Sequence, residues 1–268
     1  MFLTIFQSLQ PLNFGNIMNL SNLKIGLFIP CYVDQFYPKV GIATLELLEK
    51  LGCQVVFPTN QTCCGQPMAN SGFENMTSDC NSLFLNNFSG CDYIVSPSGS
   101  CILHLKEHLK VDGKETESKI LRTKVYELVE FITDILKVKE VKAEFQHKVG
   151  IHQGCHGQRG LYLAQMSELN AAPYSKPLTL LSQVKGLELV ELDRKDECCG
   201  FGGTFCVSEE AISVKMGKDR VADHTRNQAE YITGSDMSCL MHLEGILKRA
   251  NSNVKVIHIA EILNQGIK

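Results

Sequence analysis

Cys198-Cys199-Gly200-Phe201-Gly202-Gly203-Thr204-Phe205 and, earlier in the chain, Cys63-Cys64-Gly65-Gln66-Pro67 share a Cys-Cys-Gly triplet, and its recurrence decides how the other residues are read. Each triplet lies between two further cysteines, Cys31 and Cys101 around the first and Cys155 and Cys239 around the second, so eight of the twelve cysteines fall into two like sets. The surroundings repeat as well. Lys148-Val149-Gly150-Ile151, running on to Cys155, aligns without gaps on Lys24-Ile25-Gly26-Leu27 running on to Cys31, and Ala229 to Cys239 aligns in the same way on Cys91 to Cys101. The offset between the halves grows from 124 at Cys31/Cys155 to 135 at Cys63/Cys198 and 138 at Cys101/Cys239, which corresponds to insertions of 11 and 3 residues. An internal duplication is the strongest architectural signal.

Apolar runs at Lys24–Ile29, Cys53–Phe57 and Asp92–Val95 have the length of buried strands. Val40, Ala43, Leu47, Leu48 and Leu51 recur at helical spacing over Pro38–Leu51, with Gly52 as the stop. A polar-rich helix is expected from Gly72 to Phe88 and another after Cys101. Residues 110–124 look like a charged excursion, followed by a helix over Val125–Val138. The second half repeats the strands at Lys148–Ile151, Leu187–Leu192 and Glu230–Thr233, then adds a strand at Val254–Ile257 and a short helix to Leu263. Strands alternating with helices predict an α/β fold of two pseudo-symmetric Rossmann-like lobes, each with a parallel sheet and a Cys-Cys-Gly motif. Their expected extents are 24–138 and 139–268, with 1–23 as an N-terminal extension and Met18 as an alternative start.

The chain is long enough to bury a core without covalent staples. Its formal charge of -3 and 21% charged residues argue against a nucleic-acid partner. No stretch has the apolar length of a membrane span, which leaves only peripheral membrane association open. The N-terminus lacks the basic n-region of a secretory signal, so the expected location is cytoplasmic, where thiols stay reduced and available to metals.

In an open parallel sheet the strand carboxyl ends lie along one edge, so four thiols distant in sequence converge there in each half. Thiolates select zinc, copper(I) or iron–sulfur clusters. Neighbouring side chains on an extended backbone point apart, and a glycine directly after them permits the tight turn that faces both sulfurs towards a large centre. Iron–sulfur is therefore preferred, zinc in one lobe being the alternative. The candidate ligands are Cys31, Cys63, Cys64 and Cys101 for one centre and Cys155, Cys198, Cys199 and Cys239 for the other. Cys53 and Cys91 align with Leu187 and Ala229, and Cys80 has no counterpart, so these three are assigned to the core; Cys206, opposite Ser71, is a lesser candidate ligand. His152 and His156 align with Phe28 and Tyr32, while His104 and His242 correspond to one another; all four are placed on helix surfaces or beside the centres rather than among the ligands. The glycines of 200–203 lack the lysine and hydroxyl of a phosphate loop.

These motifs resemble the CCG-domain family, which includes the B subunit of heterodisulfide reductase and the iron–sulfur subunits of glycolate and anaerobic glycerol-3-phosphate dehydrogenases. The likeness covers Lys24 to Leu263. Cys198 to Phe205 and Ser238-Cys239-Leu240-Met241-His242 are most similar to its lactate-utilisation branch. The resemblance implies an oxidoreductase subunit carrying iron–sulfur clusters, one [4Fe-4S] per lobe, that passes electrons from L-lactate oxidation and works with other iron–sulfur subunits of a lactate-utilisation complex. In heterodisulfide-reductase relatives each motif ends in Cys-x-x-Cys, but here Ser98 and Asp236 replace the first of those cysteines. That departure argues against five-thiolate, disulfide-cleaving chemistry and leaves Asp236 as an oxygen ligand or a cap. A thiol or disulfide reductase, an iron–sulfur subunit of a glycolate or glycerol-3-phosphate dehydrogenase, and a zinc-binding scaffold remain the competing functions.

Overall fold

The computed structural model describes residues 23–266. The expected N-terminal extension, apart from Leu23, and the alternative start at Met18 lie outside them. In the first half β1 (Lys24–Leu27), α1 (Cys31–Phe36), α2 (Pro38–Lys50), β2 (Gln54–Val56), α3 (Gln66–Asn70), α4 (Ser78–Phe88), β3 (Tyr93–Ser96), α5 (Gly99–His108), α6 (Glu115–Arg122), β4 (Val125–Glu127) and α7 (Leu128–Glu130) follow one another. The second half runs β5 (Lys148–Ile151), α8 (Lys176–Leu181), β6 (Glu188–Leu189), α9 (Phe205–Ser208), α10 (Glu210–Arg226), β7 (Tyr231–Gly234), α11 (Met237–Arg249), β8 (Lys255–His258) and α12 (Ile259–Asn264).

Two four-stranded parallel sheets result, ordered β2-β1-β3-β4 and β6-β5-β7-β8. The α/β class and the pair of like lobes stand as expected. In each sheet the chain moves outward one way from the first strand and then returns to its other side. The carboxyl ends of β1 and β3, and of β5 and β7, therefore flank a topological switch point, where a crevice opens in such sheets. β1 and β5 are shielded on both faces, their last three residues being buried, which is why they lack polar alternation.

Several expectations change. The charged stretch of 110–124 carries α6, whose acidic first turn and basic last turn suit the helix dipole. The helix expected over Val125–Val138 surrenders its first three residues to β4, which pairs with β3 and completes the sheet. The helix expected over Gly72–Phe88 is confined to α4, preceded by α3 and a 3₁₀ turn at Glu74–Thr77. The strand at Leu187–Leu192 shrinks to Glu188–Leu189.

The halves interlock. α12 packs on α2 and α7 on α8, each closing helix lying against the opposite half. One continuous core thus joins Ile25, Leu48 and Leu128 to Val149, Leu180 and Ile262. The pseudo-two-fold axis passes where the equivalent residues Ser98 and Asp236 form an antiparallel bridge.

Candidate metal centre

All eight cysteines of the two sets line a single cavity between the halves. Cys31 opens α1 directly after β1, Cys63 and Cys64 sit in the loop after β2, and Cys101 lies in the first turn of α5 after β3. Cys155, Cys198–Cys199 and Cys239 occupy the matching places after β5, β6 and β7. Gly65 at φ 90° and Gly200 at φ 87° make the left-handed turn that an L-residue avoids. Those turns aim backbone N–H groups at sulfur: Gly65 donates to Cys63 Sγ at 3.4 Å, and in the second half Gly200 donates to Cys198 Sγ and Phe201 to Cys199 Sγ, both at 3.4 Å.

Each set forms a chain of sulfurs. Cys31 Sγ is 3.9 Å from Cys63 Sγ, and Cys64 Sγ 3.3 Å from Cys101 Sγ. Thiol donation from Cys31, joined by Cys64 and the Gly65 amide, lowers the Cys63 pKa to about 2, while Cys31 and Cys64, as donors in a buried place, are pushed up. Cys198 is lowered to about 2 by Cys155, Cys199 and the Gly200 amide in the same order, with Cys155 and Cys199 raised. The thiols of the two sets are therefore shifted in the same directions. Among the described residues no three of the four thiols in either set lie within 4.8 Å of one another. A tetrahedral zinc ion with bonds of about 2.3 Å needs sulfurs roughly 3.8 Å apart on every edge. Clustered thiols of this kind suit a soft metal ion or an iron–sulfur centre.

Asp236 also lines the cavity, but both its oxygens are engaged. Oδ1 accepts from the Ser238 amide at 3.1 Å and from its hydroxyl at 2.6 Å, capping α11, and Oδ2 accepts from the Ser100 amide at 2.7 Å in the first turn of α5 across the axis. Its counterpart Ser98 caps α5 by accepting from the Cys101 amide at 3.3 Å. Asp236→Ala is expected to cost about 2 kcal/mol, two caps at about 1 kcal/mol each, and to lower Tm by roughly 4–8 °C with metal content unchanged. Lost metal at unaltered Tm would instead mark a ligand.

Cys206 Sγ donates to the Gly203 carbonyl at 3.0 Å. Cys53 and Cys91 are buried among apolar side chains, and Cys80 lies on α4. His156 Nδ1 is 3.7 Å from Cys155 Sγ, and His242 Nε2 is 3.3 Å from the Ser213 carbonyl. His104 is buried against the Cys64 backbone, and burial lowers its pKa to about 4. The alignment of the halves did not signal what His152 does: a ring nitrogen lies within 4.8 Å of the sulfurs of both Cys199 and Cys239. Tyr32 from one half and Phe201 from the other meet edge to face at 5.9 Å beside the thiols.

Comparison with known proteins places this geometry among relatives. A cysteine-rich domain model, CCG, matches twice, over 25–106 and 149–244. Lactate utilization protein A of Geobacillus sp. (strain WCH70) is 43% identical over 246 residues, covering 90% of this chain and 99% of the relative. Lactate utilization protein A of Bacillus subtilis (strain 168) is also 43% identical over 246 residues, with the same coverage. Among solved structures a hypothetical protein from Helicobacter pylori superposes with a TM-score of 0.57 at 14% identity over 90% of this chain. The chain spans about half of that structure, 48%, and the likeness is one of fold.

Proposed function

The chain belongs to the CCG cysteine-rich domain family, in the group of proteins named lactate utilization protein A, and from that premise we propose that it is an iron–sulfur electron-transfer subunit of a lactate-utilisation system. The observation that carries the reading is the convergence of two equivalent four-thiol sets on one cavity. In the half of 24–138 a centre would be held by Cys31, Cys63, Cys64 and Cys101, and in the half of 139–268 by Cys155, Cys198, Cys199 and Cys239. Such a centre, [4Fe-4S] on the count of four thiolates, supplies reversible storage of one electron.

The chain's own residues do the rest. Buried Cys64, Cys101, Cys199 and Cys239 keep water from the sulfurs, and the amides of Gly65, Gly200 and Phe201 offset thiolate charge. Ser98 and Asp236, standing where a fifth cysteine would be, are occupied as helix caps, which favours electron relay over disulfide cleavage. Other iron–sulfur subunits of the system are the expected partners. No described helix is long and apolar enough to cross a membrane.

A relay subunit has no site of its own for abstracting hydride from a hydroxy acid. The purified chain, loaded with iron and sulfide, is expected to leave L-lactate unoxidised in the presence of an artificial acceptor, and to accept electrons once the partner subunits are added. Turnover of lactate by the single chain would defeat this reading.

A further inference from the structure

Beneath the two thiol sets the duplication breaks down in one place. Under the first set, Phe28, Phe84 and Phe88 form a buried aromatic trio, with Phe28 edge-on to Phe84 at 5.2 Å and to Phe88 at 6.2 Å, in the same apolar cluster as Cys64 and Cys101. Under the second set the equivalent positions are His152, Arg220 and His224, each at most 3% exposed. The backbone confirms the equivalence. A Cβ on Gly26 would fall 2.5 Å from Phe88, and one on the matching Gly150 would fall 2.3 Å from His224 Nδ1.

The polar trio is organised. Arg220 Nε and Nη2 each lie 3.3 Å from His224 Nε2, and Arg220 Nη1 stands 3.4 Å from the Asp223 carboxylate. Among the described residues His152 Nε2 has no hydrogen-bond partner, yet a ring nitrogen is within 4.8 Å of Cys199 and Cys239 Sγ. A buried imidazole nitrogen left without a partner is unfavourable, and the sulfurs of the second site lie beside this ring.

We propose that His152 donates an N–H···S hydrogen bond to the Cys199/Cys239 pair and makes the second centre the one that holds an electron more tightly. The inference rests on the reading of both sites as iron–sulfur centres. Adding one electron increases the negative charge on a centre without making or breaking a bond. A donor aimed at its sulfurs stabilises that reduced state, whereas Phe28 offers the first centre none. His152 tunes the second centre and is not a ligand of it.

The test is an EPR-monitored redox titration of the full chain, purified anaerobically, with iron and sulfide counted first. The wild type is expected to show two centres of unequal potential. His152→Phe, which copies Phe28, should keep its iron and lower the higher potential, shifting the electron-sharing equilibrium between the centres about tenfold, equal to ~59 mV for one electron. His152→Gln, which retains a side-chain N–H, should restore most of that difference. Unchanged potentials in His152→Phe, or a shift of the lower one alone, would overturn the proposal. So would loss of iron from His152→Phe, which would make His152 a ligand. A wild-type chain with no iron would overturn the underlying reading, before any potential is taken.

Discussion

Serine at any one of Cys31, Cys63, Cys64, Cys101, Cys155, Cys198, Cys199 or Cys239 is expected to reduce bound iron by about half, since a hydroxyl is a harder and poorer ligand than thiolate and each loss empties one of two centres. Serine at Cys53, Cys80 or Cys91 is expected to leave iron at the wild-type level. Cys53 and Cys91 lie among apolar neighbours, so a small loss of packing is the foreseeable cost there. Iron analysis of the eleven variants reads this directly. A Cys53→Ser protein as depleted as Cys63→Ser would break the assignment of ligands.

Gly200→Ala should have a comparable effect without touching a sulfur. An added Cβ would lie 2.7 Å from the Ser213 carbonyl oxygen and 2.7 Å from Met216 Cβ, on a residue at φ 87°. The left-handed conformation alone costs an L-residue about 1–2 kcal/mol, and the overlap with fixed backbone adds to it, so the turn gives way and with it the Gly200 amide that donates to Cys198. Loss of about half the iron is the expected outcome, matching Cys198→Ser. Gly52→Ala is the control, because Gly52 has φ 85° but nothing within 4 Å of the added atom. It should lower Tm modestly and keep all iron. Full iron in Gly200→Ala would show that the second site does not depend on this turn.

Much of the fold and of the candidate site was legible in the sequence, because the duplication checks itself: strands recur at fixed distances from cysteines, and Cys53, Cys80 and Cys91 stand apart by lacking partners. What escaped has local causes. β4 is three residues long and runs straight into α7, so Val125, Leu128, Val129 and Ile132 present a helical spacing although the first belongs to a strand. α6 has so few apolar residues that its charge pattern resembles a loop. α1 was missed because Pro30 and Cys31 look like the end of a strand rather than the start of a helix. His152 is kept off the ligand list by Phe28 at the matching place in the repeat, and the structure sets its ring beside Cys199 and Cys239. An alignment of halves reveals what they share and is blind to what distinguishes them.

The central claim is that two equivalent thiol sets hold two iron–sulfur centres in one cavity. The most direct measurement is the count of iron, acid-labile sulfide and zinc per chain in protein purified without oxygen. The account expects iron and sulfide in equal amounts, enough for two clusters, with both halved when Cys63 or Cys198 is replaced by serine. Zinc bound without sulfide, in one or both halves, would contradict it.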